Sequence, residues 1–203
     1  MEPDMTPRLI PLALLMLAPG LVLAHPGHGL DAGPSSSALA AGLLHPLLGL
    51  DHLLAMLGVG LWASQRALQR QGYGIAGIFL LVLALGFMAG LGSAPGQWIE
   101  TGILGSVILV GALVALGRNL PAAFGLGLAA LFALFHGLAH GAEMGAGLSA
   151  PLFAAGFLLS SSALVGLGLL AGRFGQGLMR GSMLVRAGGA GILAAGLVMI
   201  WTV

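Results

Sequence analysis

Residues 74–92 read GIAGIFLLVLALGFMAGLG, an apolar run without a single charge. Its length is that of a helix crossing the hydrocarbon core of a bilayer, for which about 20 residues suffice. Five further apolar runs, none with more than one charged residue, lie at roughly 38–63, 98–117, 121–142, 151–172 and 184–202. The breaks between them, Ser64 to Tyr73, Gly92 to Gln97, Gly117 to Pro121, Glu143 to Ala150 and Arg173 to Met183, hold most of the polar residues. The pattern predicts an all-α, polytopic membrane protein with six transmembrane helices after a cleavable N-terminal signal peptide.

Composition leads to the same class. Of 203 residues, 58% are hydrophobic and only 6% charged, with a mean hydropathy of +1.05. A soluble domain carries about 25% charged residues, so lipid must be the solvent for most of this chain. The net charge of +1, with no basic cluster and no lysine, gives no footing for nucleic acid. Cysteine is absent, which excludes a disulfide scaffold, a thiolate metal site and a thiol nucleophile. Glycine is frequent, and in a membrane it lets helices approach closely through small-xxx-small contacts.

Residues 1–24 have the form of a signal peptide: Arg8, then an apolar run from Leu9 to Leu23, then a small-residue cleavage site at Val22-Leu23-Ala24. Glu2 and Asp4 offset the charge of Arg8, and an uncleaved anchor is the alternative. Residues 25–37 form a polar N-terminal segment opening His25-Pro26-Gly27-His28, and residues 38–203 the six-helix membrane domain. With the mature N-terminus in the periplasm, the first, third and fifth connections face the cytoplasm. Arg66, Arg70, Arg118, Arg173, Arg180 and Arg186 all fall on that side, as the positive-inside rule requires. The predicted location is the bacterial inner membrane, crossed several times. Oligomeric state leaves no mark in the sequence.

Two segments carry the residues that are costly in a membrane. The first contains His45, Pro46, Asp51 and His52, and the fourth reads Phe135-His136-Gly137-Leu138-Ala139-His140-Gly141-Ala142-Glu143. On a continuous helix His45 and His52 share a face, and Asp51 lies about 100° from His52. His136, His140 and Glu143 form one stripe, and a His pair at i, i+4 offers two imidazoles to one metal. The first segment descends and the fourth ascends. If the two are neighbours, His45 and Glu143 make an outer rung, with Asp51, His52, His136 and His140 about 10 Å deeper. Pro46 sits either inside a helix, freeing the Gly42 carbonyl, or at the first turn of a new one.

Charge compensation gives this set its meaning. A carboxylate in the membrane costs about 2.5–3.5 kcal/mol on insertion scales and is normally paired. Asp51 and Glu143 have no basic neighbour except histidine. A divalent cation compensates both, and the imidazoles complete its coordination. Carboxylates that stay protonated, or pair with imidazolium, are the alternatives. The candidate metal ligands are therefore His45, Asp51, His52, His136, His140 and Glu143. His25 and His28 are read as a tail that is either flexible or captures metal. An all-N/O donor set suits Ni2+, Co2+, Cu2+ or Zn2+. The ion is cargo, and no permanent cofactor is expected. Met56, Met144 and Ser160 to Ser162 are read as packing, and Glu100 as solvated.

The pair of motifs, His45-x5-Asp51-His52 and Phe135-His136-Gly137-Leu138-Ala139-His140-Gly141-Ala142-Glu143, resembles the two signatures of the HupE/UreJ family. The resemblance spans nearly the whole chain. It implies uptake of nickel for hydrogenase or urease, with these histidines and acids needed for transport, in a permease rather than an enzyme. Some members are associated with cobalt or copper. Two other classes remain open on the residues alone. One is an intramembrane zinc-dependent hydrolase with Glu143 or Asp51 as base, although no serine lies close to the histidine motifs in sequence. The other is a metal-sensing or delivery subunit that binds without transporting.

Overall fold

The computed structural model describes residues 36–66, 70–94, 96–118, 120–178 and 181–201. The predicted signal peptide and His25 and His28 lie outside the described residues. Helices follow one another as α1 (Ser36–Leu48), α2 (Leu50–Ser64), α3 (Gln71–Gly90), α4 (Gln97–Leu116), α5 (Ala122–Glu143), α6 (Ala150–Gln176) and α7 (Gly181–Met199). Among the described residues there is no strand. Five of the helices are long and apolar enough to cross a membrane, and α1 with α2 passes the same test only as a bent pair, with the form of a broken span or a re-entrant loop.

A break in this segment is one of the two possibilities that Pro46 leaves open, but it falls at Gly49 and not at Pro46. The first segment is not one helix: α1 and α2 meet at 80°. The hinge is Gly49, whose extended backbone (φ −96°, ψ 121°) precedes α2. Pro46 lies inside α1, three residues earlier. Its ring nitrogen has no hydrogen to donate, so the last turn of α1 is already short of a bond before the chain turns. Broken helices persist at membrane depth where they line a polar cavity.

The other boundaries shift by a few residues. The largest shift is in α6, which continues through Arg173 to Gln176 instead of stopping at 172. Residues 173–176 include Gly175, a poor helix former, but no proline, and Arg173 gains a partner there. Its Nη1 donates to the Tyr73 hydroxyl at 2.7 Å, while the guanidinium lies 5.7 Å from that ring's centre. A long side chain that keeps its charge at the polar boundary in this way is snorkelling.

Glycine sets the packing. α3 lies along α5, α4 along α7, and both α1 and α2 along α6. A Cβ on Gly86 of α3 would stand 3.1 Å from the Gly137 Cα of α5, and one on Gly60 of α2 would stand 2.8 Å from the Gly168 Cα of α6. Such approaches are open to residues without a side chain, as small-xxx-small contacts require. Inside the bundle Met56, Val59, Trp62, Phe79, Leu83, Phe87 and Phe157 are buried. Outside, Leu81, Leu85, Met88, Leu109, Leu159 and Leu167 are exposed around the girth. An apolar surface of that extent belongs in lipid. The protein is a multi-pass membrane protein.

One end of the bundle carries the arginines. There Arg186 Nε donates to the Ala115 carbonyl at 2.7 Å, and Gln65 Nε2 to the Val114 carbonyl at 2.9 Å. Gln176 Nε2 reaches the Ser64 hydroxyl at 3.1 Å. The ends of α2, α4 and α6 are thus tied together on the side where the positive charges gather. The histidine motifs lie towards the opposite end.

Candidate metal centre

The bend at Gly49 turns two short helices towards one interior, so His45 on α1 and His52 on α2 meet α5 from different directions. Their ring centres are 6.3 Å apart, closer than the rungs of a straight helix would be. On α5 the sequence alternates histidine with glycine. Gly137 and Gly141 press against α3, and His136 and His140, about 100° round the helix, face the other way. The two motif-bearing segments therefore meet through their imidazoles, while their backbones pack chiefly on α6 and α3.

All six predicted residues come together. His140 is the link, with its ring 4.6 Å from His45 and 4.3 Å from His52. His52 in turn lies 5.4 Å from His136. At the outer rim His45 Nε2 is 3.7 Å from Glu143 Oε2. One donor atom each from His45, His140 and Glu143 falls within 4.8 Å of the others. Donors bound at ~2.1 Å to one ion are separated by roughly 3–4 Å, so small side-chain rotations close this set on a metal. His140, placed by the sequence reading with the deeper group, also completes the outer one.

Hydrogen bonds fix which nitrogens are free. His136 Nδ1 lies 2.8 Å from the Phe132 carbonyl. A carbonyl only accepts, so Nδ1 carries the proton and Nε2 presents a lone pair. His52 Nδ1 lies 2.7 Å from Asp51 Oδ1, and the same oxygen accepts from the His52 backbone N–H at 2.9 Å. The carboxylate thus holds the ring with Nε2 free. This is the arrangement by which a carboxylate orients a metal-binding imidazole.

The freed atoms have nothing to bond. His52 Nε2, His136 Nε2 and both ring nitrogens of His140 are buried without a partner. Each buried polar atom left so costs about 1–3 kcal/mol. A neutral imidazole carries one lone pair, so the three neighbouring rings present three donor atoms of a preformed set.

Aromatic rings brace the imidazoles. Phe157 lies 4.4 Å from the His140 ring, Phe153 5.5 Å from His45, and Phe79 6.4 Å from His136. Phe87 stacks on both Phe153 and Phe157, at 5.9 Å each. The sequence reading assigned these rings no role. The spacing of Phe153 and Phe157 at i, i+4 was the available signal, but it is also what any core stripe shows.

The site is open at one end. The His45 and Glu143 side chains are 24% and 23% exposed, whereas His136 and His140 are fully buried. One turn deeper on the same helices, Met56 and Phe132 are buried as well. An ion can reach the site from the Glu143 end, and apolar side chains seal the path towards the arginine end.

Fold and site together define a polytopic membrane protein with a histidine and carboxylate cluster inside the bundle. The chain belongs to the HupE/UreJ family: the model described as HupE / UreJ protein matches residues 12–199. Protein HupE of Rhizobium leguminosarum bv. viciae is 34% identical over 180 residues, which cover 88% of this chain and 90% of that one. No solved structure matches.

Proposed function

We propose that the protein is a permease for a divalent transition-metal ion, with nickel the foremost cargo, serving hydrogenase or urease maturation. The observation that carries this reading is the set of orphaned imidazole nitrogens at His52, His136 and His140, next to two carboxylates. Asp51 and Glu143 together offset a double positive charge. Membership in the HupE/UreJ family, the resemblance to which implies metal uptake, supports movement of the ion over mere storage.

In this reading the mature N-terminus and Glu143 face the periplasm, and the arginine-bearing end faces the cytoplasm. The ion sheds water at His45, His140 and Glu143. It then passes to His52 and His136, exchanging ligands through His140, which touches both sets. Neutral imidazoles bind firmly enough to replace water, and two adjacent stations let the ion move on. Onward release requires the apolar layer at Met56 and Phe132 to part, as in alternating access. His25 and His28 would supply metal to the rim.

The test is uptake of radioactive nickel into proteoliposomes containing the purified protein, compared with His52→Ala and His140→Ala. Saturable uptake abolished by either substitution is expected. Nickel binding without any flux through the intact protein would overturn the permease in favour of a sensor or delivery subunit.

A further inference from the structure

Ser161, near the middle of α6, is wholly buried, and its hydroxyl has no hydrogen-bond partner. A serine in a helix ordinarily returns its hydroxyl to a carbonyl of the preceding turn. Ser64 does so with Leu61 at 2.6 Å, and Ser106 with Ile103 at 2.7 Å. Ser161 does not.

Its place in the bundle explains what the free hydroxyl faces. Phe157, one turn before it on α6, lies against the His140 ring, and residues four apart share a helix face. α6 descends from the Glu143 end, so Ser161 stands one turn below that contact. On α5, His136 stands one turn below His140. The register between α2 and α6 agrees. These helices run in the same direction, with Gly60 beside Gly168 and Ser64 beside Gly172. Continued towards the histidines, that register sets His52 and Leu53 beside Ser160 and Ser161. The hydroxyl of Ser161 thus belongs to the layer that holds the free Nε2 atoms of His52 and His136.

We propose that Ser161 is the α6 ligand of the inner station, its hydroxyl oxygen coordinating the ion alongside His52 and His136. The inference rests on the metal-permease reading and deepens it, because the ion then touches α2, α5 and α6 at once. A neutral oxygen adds no charge to the pair of carboxylates. It also keeps the set hard enough to exclude soft monovalent ions. No imidazole hydrogen-bonds to this serine, so it is not an activated nucleophile.

The chain has no cysteine, so one introduced thiol can be read without background. Ni2+ is titrated into the purified protein and into its Ser161→Cys and Ser106→Cys variants. Ser106 is a buried serine whose hydroxyl is already bonded within α4. A thiolate-to-nickel charge-transfer band in the Ser161→Cys variant, absent from the other two, is the expected result. Ser161→Ala should weaken nickel binding about tenfold and leave the metal-free melting temperature unchanged. Nickel binding by the intact protein, with no band and with unaltered affinity in Ser161→Ala, would overturn the role of Ser161 and leave the permease standing. If the cysteine variant does not fold, the alanine variant decides alone. An intact protein that binds no nickel would remove both readings.

Discussion

His140 on α5 and His52 on α2 bring their ring centres to 4.3 Å, although the helices bearing them pack chiefly on other partners. The contact is made by imidazoles across the middle of the bundle. Neither ring of the pair satisfies the other, because His52 Nε2 and both nitrogens of His140 remain without hydrogen bonds. Two neutral imidazoles at this distance gain little from each other beyond packing. A shared cation would satisfy both, which gives their closeness a function.

Substitution at this pair should separate binding from folding. His140→Leu or His136→Leu removes the buried imidazole nitrogens that have no partner and keeps a side chain of similar volume. Replacing an unsatisfied polar group by an apolar one of like size is nearly neutral or stabilising, whereas alanine would leave a cavity at these fully buried positions. The metal-free melting temperature should hold or rise, even as nickel uptake disappears. In the intact protein, nickel at 100 times its dissociation constant should stabilise the fold by about 2.7 kcal/mol. That shift should vanish in both variants. A melting temperature that falls sharply without metal would mean that the histidines are structural glue.

Asp51 acts on the ion through His52, to whose Nδ1 it is bonded at 2.7 Å. Asp51→Asn keeps an acceptor oxygen there and should keep most of the orientation. Asp51→Ala frees the ring to turn and should weaken metal affinity by roughly 10–100-fold, as loss of such a partner does. Nickel titration of the two variants measures the difference. Equal losses in both would show that the negative charge itself, and not the orientation, is what counts.

Much of this was legible in the sequence, for definable reasons. Uncharged runs such as 74–92 are unambiguous because lipid tolerates so few polar atoms. His45, Asp51, His52, His136, His140 and Glu143 stood out because each is expensive where it lies. The break at Gly49 was not legible. In a chain with 36 glycines no single one announces a hinge, and Pro46 marked the neighbourhood without locating the turn. Phe153 and Phe157 were hidden for a similar reason, being apolar residues in an apolar helix. Ser161 reads as packing in the sequence because a serine's significance depends on where its hydroxyl is already spent, which only coordinates reveal.

Next to each histidine of α5 stands a glycine with the opposite requirement. A Cβ on Gly137 would meet the Leu83 carbonyl and, at 2.7 Å, the Phe87 backbone nitrogen. Backbone atoms cannot swing aside. Gly137→Ala should force α3 and α5 apart and cost about 1–3 kcal/mol, the range for overpacking. Gly127→Ala, where nothing lies within 4 Å, should be neutral. Melting temperatures in detergent check both. The contrast with His136→Leu, one residue away and nearly volume-conserving, is the sharper reading: the first should lose stability and the second only transport.

Gly49 offers a way to disturb the site while sparing the fold. Its backbone angles are open to any residue, so alanine brings no strain in φ. What alanine lacks is room. A Cβ there would stand 2.6 Å from His52 Nδ1 and 2.8 Å from Asp51 Oδ1. Both are ends of side chains and can rotate away, which makes the substitution cheap for folding. The rotation, however, breaks the bond that keeps His52 Nε2 turned into the site. Gly49→Ala should therefore melt near the temperature of the intact protein and bind nickel roughly 10-fold or more weakly, much as Asp51→Ala does. Because both changes act through one hydrogen bond, the double variant should be little worse than either single one. Additive losses in nickel affinity would show instead that Asp51 and the hinge contribute separately, with Asp51 bound to the ion itself.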